Sequence, residues 1–344
     1  MYGADTYQQN GIKMGRKLLG VYIPTYNREK ELKQCLDSFI PQLSKYGFPI
    51  FISDNGSTDG TKNVVKDAQK RYKNVFYRRN PKNLGYGPNL IKVLRMGNTK
   101  YAWIFGDDDT IEKGAIDAIT SNLNVDTSFI QINSSICSND LSKKIQKRLI
   151  SDTHDTIFLR GDHSKVLLNA LNGYAGYMAE LIVRKDLLDH ELSKLNLKST
   201  PLDFIHSILF FRSIVGKKGI YLSKPMIRIR AFNISYSGRP FDVWLNKYPR
   251  TINLFGQNYP KPVLEKAKRV SVSMLVMVAI RNREEAPTSE LVKYKDYVVD
   301  ASNISLGAKI VLLALLNMPK FTIKYVVHPI LNGYIKIMHD VAGN

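Results

Sequence analysis

The sequence predicts an α/β fold, a mostly parallel sheet wrapped by helices and followed by a helical C-terminal region, on three observations. From Leu18 to about Leu123 short β-branched runs alternate with amphipathic stretches. Three polar loops rich in Asp, Asn, Gly and Thr each follow one of those runs directly. After Pro240 the strand pattern stops, and helical stretches punctuated by Pro249, Pro260, Pro287, Pro319 and Pro329 take over.

Strands are expected at Leu18 to Ile23, Ile50 to Ser53, Val75 to Arg78 and Tyr101 to Phe105. Helices fall at about Glu29 to Leu43, Thr61 to Tyr72, Pro88 to Met96 and Glu112 to Leu123. In the second helix Val64, Val65, Ala68 and Tyr72 form one stripe while Lys62, Lys66 and Lys70 face water, the pattern of a helix laid on a sheet. From Ser128 to Arg230 the elements are less regular: an apolar run SFIQI, a polar excursion to Leu149, a helix near Ser164 to Leu171 and a strand Met178 to Arg184. A helix from Asp203 to about Val215 and short strands at Ile220 and Ile227 complete this half, with a boundary near Ser235 to Pro240.

The 344 residues are 44% hydrophobic and 23% charged, enough for one large domain or two ordinary ones and too apolar for a disordered tail. Lys and Arg total 50 against 30 Asp and Glu, a net charge of +20 that points to an anionic partner: nucleic acid, a phosphate-bearing substrate or an acidic membrane surface. Cys35 and Cys137 make neither a disulfide scaffold nor a local metal clip, so a reducing cytoplasm is the default compartment. Residues 1–15 read as a polar lead-in without the apolar core of a secretory signal. No window approaches the ~20 apolar residues that span a bilayer, which predicts a soluble or peripheral protein.

The chemistry is expected at the C-terminal ends of the parallel strands, where open α/β sheets bind ligands. The loops there are PTYNRE (Pro24 to Glu29), SDNGSTDGT (Ser53 to Thr61) and GDDDT (Gly106 to Thr110). Asp107, Asp108 and Asp109 repel one another unless a cation or hydrogen-bond donors compensate them, and a hard divalent ion shared with a substrate diphosphate does so. The alternative is an exposed acidic turn at a helix start. Asp54 emerges from a strand end with a tight turn behind it, placed to accept an N–H of a planar base, whereas Asp59 reads as a helix cap. Tyr26 offers a ring to stack on a base. The stretch NPKNLGYGPN (Asn80 to Asn89) would bring backbone and amides near a ribose or sugar.

Together these loops resemble the family 2 glycosyltransferases of the GT-A fold: a strand, a PTYN-type loop, an Asp-rich GSTDGT turn and an Asp-x-Asp element. The resemblance covers about Leu18 to Ala115 well and continues loosely to about Arg230. It implies that Pro24, Thr25, Tyr26 and Asp54 hold the nucleobase with Asn83 and Gly85 nearby. Asp107 would approach the ribose, and Asp108 or Asp109 would bind Mn²⁺ or Mg²⁺. Alignment through Gly114 and Ala115 puts Gly106 where the family's first Asp stands, which leaves the metal ligand open between Asp108 and Asp109.

Inversion at the anomeric carbon requires a general base for the acceptor hydroxyl. The family places it downstream at a helix start, where STPLDFIHSILFF offers Asp203, with His206 one turn on and Glu180 as a weaker acceptor-side candidate. Thr200 or Asp203 as a plain helix cap is the bland alternative, and His154 and Asp155 read as loop residues.

The expected organisation is a lead-in at 1–15, a catalytic domain at 16–235 with a nucleotide-sugar half (16–125) and an acceptor half (126–235), and a membrane- or subunit-associating region at 236–344. The expected reaction moves a sugar from a nucleoside diphosphate, UDP foremost, to a hydroxyl of a glycan, lipid-linked, in capsule, lipopolysaccharide or other surface polysaccharide synthesis. Expected partners are the nucleotide-sugar donor, the acceptor, an anionic membrane surface on the cytoplasmic side and a second copy of the chain; nucleic acid is not among them. A metal-dependent nucleotidyltransferase and a basic nucleic-acid-binding module are the rival readings, the second resting on charge alone. No G-x-x-x-x-G-K-[ST] is present, and GYGPNL lacks the third glycine of a dinucleotide fingerprint. The stretch Ala301 to His339 has Lys309, Lys320, Lys324 and Lys336 among apolar residues and no Asp or Glu, a composition suited to an interfacial helix.

Overall fold

The structure, a computed structural model, describes residues 7–9, 12–14, 17–124, 126–171, 178–231, 242–285, 294–296, 298–299 and 305–327. It divides into two units, Met1–Asn233 and Ile234–Asn344.

In the first unit, strands β1 (Tyr7–Gln9) and β2 (Ile12–Met14) pair as an antiparallel ribbon. This ribbon lies within the stretch expected as a polar lead-in; its pairing joins backbone groups and needs no apolar alternation. The main sheet is ten-stranded. Its parallel half contains β3 (Leu19–Thr25), β4 (Ile50–Asp54), β5 (Val75–Arg79) and β6 (Tyr101–Ile104). In space these run β5, β4, β3, β6, so the chain steps outward from β3 and then crosses back to its other side. That reversal opens a crevice between the carboxyl ends of β3 and β6, the place where a doubly wound sheet accepts a ligand.

The other half contains β7 (Thr110–Ile111), β8 (Phe129–Cys137), β9 (Lys144–Gln146), β10 (Thr156–Phe158), β11 (Leu181–Arg184) and β12 (Gly219–Arg230). Antiparallel β11 joins β6 to β8, while β12 runs parallel to β8 and carries β10 and β7 on its other side. The two short strands expected at Ile220 and Ile227 are one continuous strand, whose register slips between Leu222 and Ile227 around Lys224 and Pro225. A proline removes one ladder donor, which reads locally as a strand break although the partner strand continues.

Helices α1 (Glu29–Leu43), α2 (Thr61–Arg71), α3 (Tyr86–Leu94) and α4 (Ala115–Asn122) link the parallel strands. Helix α1 buries Leu32, Cys35, Leu36, Phe39, Ile40 and Leu43, one apolar stripe laid on the sheet. Phe39 meets Trp103 and Phe105 edge to face at centroid distances of 5.4 and 4.7 Å, the arrangement ring quadrupoles favour. Helices α5 (His163–Ala170), α6 (Lys185–Ser193) and α7 (Ile205–Ser213) flank the other half. The strand expected from Met178 begins instead as a 3-10 turn, Met178–Glu180, and the helix expected from Asp203 begins as another, Leu202–Phe204.

Among the described residues of the second unit every regular element is helical: α8 (Tyr248–Phe255), α9 (Lys261–Glu285) and α10 (Leu306–Asn317), with shorter turns between and after them. Replacing Phe39 by Ala should lower unfolding free energy by about 3–5 kcal/mol, since a buried ring at the α1–sheet contact would leave a cavity. Urea denaturation measures this, and a loss below about 1 kcal/mol would show that α1 is not packed as described.

Candidate active site

The loops after β3 and β4 are fastened to each other. Asp59 accepts the N–H and hydroxyl of Thr61 through Oδ1 (3.1 and 2.6 Å) and the N–H of Glu29 through Oδ2 (3.0 Å), so one carboxylate satisfies backbone at the starts of both α1 and α2. Those bonds hold it below the usual carboxylate range despite its partial desolvation. The capping role expected of Asp59 is what it performs. Asn27, at φ 50°, accepts the Thr58 N–H through Oδ1 (2.8 Å), and its own N–H donates to Ser57 Oγ (2.9 Å). A left-handed turn at an Asn is tolerated where its side chain makes a local bond of this kind.

Asp54 is fully buried at the end of β4. The Ser57 N–H donates to Oδ1 (2.8 Å), the Tyr77 hydroxyl donates to Oδ2 (2.6 Å), and Arg79 Nε lies 3.7 Å from Oδ2. Tyr77 and Arg79 come from neighbouring β5, whose register sets Asp54 beside Arg79. Burial, with the Asp54 charge behind it, pushes the Tyr77 hydroxyl well up, so it stays a donor. Pro24 and Thr25 are buried in the last residues of β3, while the Tyr26 ring is 41% exposed above them, open to a planar ligand.

Amides tie the next loop to these strand ends. Asn89 of α3 accepts from Ser53 Oγ (2.7 Å) and Asn80 Nδ2 (2.9 Å) and donates to the Ser53 carbonyl (2.9 Å). Asn55 accepts the Leu84 N–H (2.9 Å) and donates to Asn83 Oδ1 (2.7 Å) and the Gly85 carbonyl (3.1 Å). Asn83 and Gly85 are thereby held at the exposed rim, within one network with Asp54's own strand. Sequence reading quoted Asn80 and Asn89 only as ends of a loop. The available signal for Asn89 was an amide standing directly before the buried Leu90 and Ile91, since a buried amide needs partners.

The three carboxylates follow β6. Loss of water and the neighbouring Asp108 charge push Asp107 up to about 7, opposed by the Thr25 hydroxyl, Arg28 and the Tyr26 amide. Burial, then Asp108, drives Asp109 well above the carboxylate range. Asp109 Oδ1 accepts the Arg230 N–H (2.9 Å), and Arg230 Nε donates to the Asp108 carbonyl (2.9 Å) while Nη2 reaches Gln34 Oε1 (2.7 Å). Arg230 ends β12, far away in sequence, and nothing in its neighbourhood marked it. At Gly106 a Cβ would lie 2.9 Å from Asp108 Oδ1 and 3.3 Å from Asp109 Oδ2, so both carboxylates fold back over the glycine.

The site therefore brings Tyr26, Asp54, Asn83, Gly85, Asp107, Asp108 and Asp109 to one edge. The 3-10 turn holding Asp203 packs on α3: a Cβ on Gly87 in the first turn of α3 would lie 2.5 Å from Leu202 Cβ. Thr200 donates to the Asn196 carbonyl (2.8 Å), and no side-chain bond caps the turn. His206 is buried, its Nδ1 sharing a 2.8 Å hydrogen bond with the Tyr86 hydroxyl, and it has no open face for an acceptor. Glu180 ends the 3-10 turn Met178–Glu180, whose Met178 Sδ accepts the Tyr86 hydroxyl at 2.8 Å. Glu180 is buried, accepts the Ser134 hydroxyl (2.8 Å), and is pushed by burial up to about 8. His154 and Asp155 lie in a loop, with Asp155 Oδ1 accepting the N–H and hydroxyl of Ser223.

Because the folded Glu180 binds a proton more tightly than the usual 4.5 of an unfolded glutamate, its contribution to stability falls as pH rises from about 4.5 to about 8. Replacing Glu180 by Gln should remove that slope. The melting temperature of the variant should gain on wild type by several degrees between about pH 5 and pH 8.5; parallel profiles would show that Glu180 ionises freely.

The family model for Glycosyl transferase family 2 matches residues 20–179. Abequosyltransferase RfbV of Salmonella typhimurium is 30% identical over 231 residues, 64% of this chain and 68% of that protein. The GalNAc(5)-diNAcBac-PP-undecaprenol beta-1,3-glucosyltransferase of Campylobacter jejuni is 32% identical over 108 residues, 31% of this chain and 34% of that protein. Among solved structures, S. aureus TarS in complex with UDP-GlcNAc superposes with a TM-score of 0.58 at 15% identity, covering 87% of each chain, a likeness of fold. With the matched residues spanning β3 to the turn before β11 and every loop of the site but those of Asp203 and Arg230, the chain belongs to glycosyl transferase family 2 and is a glycosyltransferase of the GT-A fold that uses a nucleotide sugar.

Proposed function

We propose that this enzyme transfers a sugar, with inversion, from a UDP-sugar to a hydroxyl of a lipid-linked glycan in the synthesis of a capsule, lipopolysaccharide or other surface polysaccharide, at the cytoplasmic face of the membrane. The observation that carries the donor half is the opposition, across the crevice between β3 and β6, of a buried acceptor at Asp54 and a run of crowded carboxylates at Asp107 to Asp109. The name of the Salmonella relative supports transfer of a sugar, and that of the Campylobacter relative supports a lipid-linked glycan acceptor.

In this reading Pro24 and Thr25 shape the strand end beneath the base, Tyr26 stacks on it, and Asp54 accepts its ring N–H. Asn83 and Gly85 line the ribose or sugar side, and Asp107 accepts from a ribose hydroxyl. A divalent ion fits the third loop chemically. The donors are all carboxylate oxygens, suited to Mg²⁺ or Mn²⁺, and their mutual repulsion is what a cation relieves. Among the described residues no three His, Cys, Asp or Glu side chains converge as a cage, which accords with an ion held by Asp108 or Asp109 and completed by the substrate's phosphates and water. When bound, the ion neutralises the departing diphosphate. Asp203, part-exposed against α3, takes the proton of the acceptor hydroxyl; Glu180 and His206 are both committed to buried partners.

Asp108→Asn and Asp109→Asn should each lower turnover, at least one of them by about a hundredfold, and excess EDTA should abolish it. Nucleotide release from a panel of nucleotide sugars reads both, and identifies the base. Full activity in EDTA, or in both variants, rejects the metal assignment. Asp203→Asn should retain UDP affinity by calorimetry while losing about a hundredfold or more in turnover. Near wild-type turnover removes Asp203 from the base role.

A further inference from the structure

The second unit carries an apolar surface that donor binding and sugar transfer leave unused. Helix α10 is apolar on both sides. Leu312, Leu315 and Leu316 are buried, while on the opposite face Leu306 (74% exposed), Ile310 (59%) and Val311 stand in solvent together with Ala314. A helix that needed only to pack on its own unit would carry polar residues on that second face. The segment that follows repeats the pattern: Ile323 is buried, and Phe321 (67% exposed), Tyr325 (62%) and Val326 are not. The Phe321 and Tyr325 rings lie 5.7 Å apart, making an exposed aromatic pair one turn long.

Charge indicates what covers this surface. Residues 305–327 contain Lys309, Lys320 and Lys324 and no Asp or Glu, in a chain whose net charge is +20. An acid-free segment that carries lysines along an apolar surface suits a layer that is oily within and negatively charged at its rim, and disfavours a second copy carrying the same lysines. Exposed aromatic rings with a hydroxyl, as at Tyr325, favour the boundary between headgroups and acyl chains. Among the described residues no helix is long and apolar enough to cross a membrane, which leaves a helix lying in the interface. We infer that the exposed face of α10, with Phe321, Tyr325 and Val326, is an interfacial docking surface for anionic lipid, and that it holds the enzyme where a lipid-linked acceptor is presented. The second clause rests on the proposed acceptor; the first does not.

The test uses the full chain and vesicles of phosphatidylcholine with or without about one third phosphatidylglycerol. Wild type should co-sediment with the anionic vesicles at low salt and be weakened about tenfold or more by Ile310→Glu with Phe321→Glu, while nucleotide release from the donor stays unchanged. A second measurement does not depend on loss of binding. Cys35 and Cys137 are buried, so Ile310→Cys can take a single environment-sensitive fluorophore, whose emission should shift to the blue on anionic vesicles. Failure of wild type to bind, binding indifferent to the paired substitution, or a fluorophore that reports water throughout each overturns the inference. So does a lipid-free dimer that Ile310→Glu dissociates, which would give the face to a second copy. Vesicle binding without nucleotide release from any donor leaves the lipid surface standing and removes the proposed function instead.

Discussion

Mutual repulsion among Asp107, Asp108 and Asp109 is the constraint around which the catalytic unit is arranged. Consecutive carboxylates at a strand end are costly where water is excluded, and Asp107 and Asp109 are both pushed toward their neutral forms. The compensation arrives from far along the chain. The Arg230 backbone N–H meets Asp109 and its guanidinium meets the Asp108 carbonyl and Gln34, so the last residue of β12 fixes a loop that begins after β6. The mixed half of the sheet is therefore part of the site: without β11 and β8 between β6 and β12, Arg230 would have no route to the acidic loop. The compensation is incomplete, since both carboxyl groups stay above their ordinary range with these partners in place.

The opposite wall uses a different solution. Asp54 is single, and the Ser57 N–H and Tyr77 hydroxyl hold it within 2.8 Å with the Arg79 guanidinium 3.7 Å away. The amides of Asn55, Asn80 and Asn89 then satisfy one another and the surrounding backbone, leaving the loop from Asn80 to Asn89 tied to the sheet. Networks whose members are all paired are stiff, because each broken bond strands a buried polar atom. The crevice thus has one wall of fully paired amides and one of crowded carboxylates.

Burial also sorts the acids that residue type alone leaves equivalent. Glu180 and Asp203 both stand in the second half as carboxylates near candidate acceptor segments. Glu180 is buried against Ser134, and burial pushes its carboxyl up to about 8, whereas Asp203 remains part-exposed on a turn seated by the Leu202–Gly87 contact. His206, one turn beyond, spends its ring nitrogen on Tyr86.

The amino-acid order by itself determined the parallel half. Alternation of β-branched runs with 3.6-residue stripes is a local property, and α1 occupies Glu29–Leu43 as its stripe indicates. It also determined which polar loops follow the strands, since Asp54 ends β4, Asp107 to Asp109 follow β6, and the PTYN, GSTDGT and Asp-run elements are each contiguous in the chain. Tertiary structure decided what depends on partners distant in sequence. Tyr77 and Arg79 are placed on Asp54 by the register of β5, Arg230 is placed on Asp109 by a strand order no periodicity encodes, and Glu180 is taken out of solvent by the sheet around it. The unity of β12 was likewise hidden, because a proline interrupts its local pattern while the ladder to β8 resumes beyond it. Periodicity reports which face of an element is buried; only the packing of elements against one another fixes which charge each buried group meets.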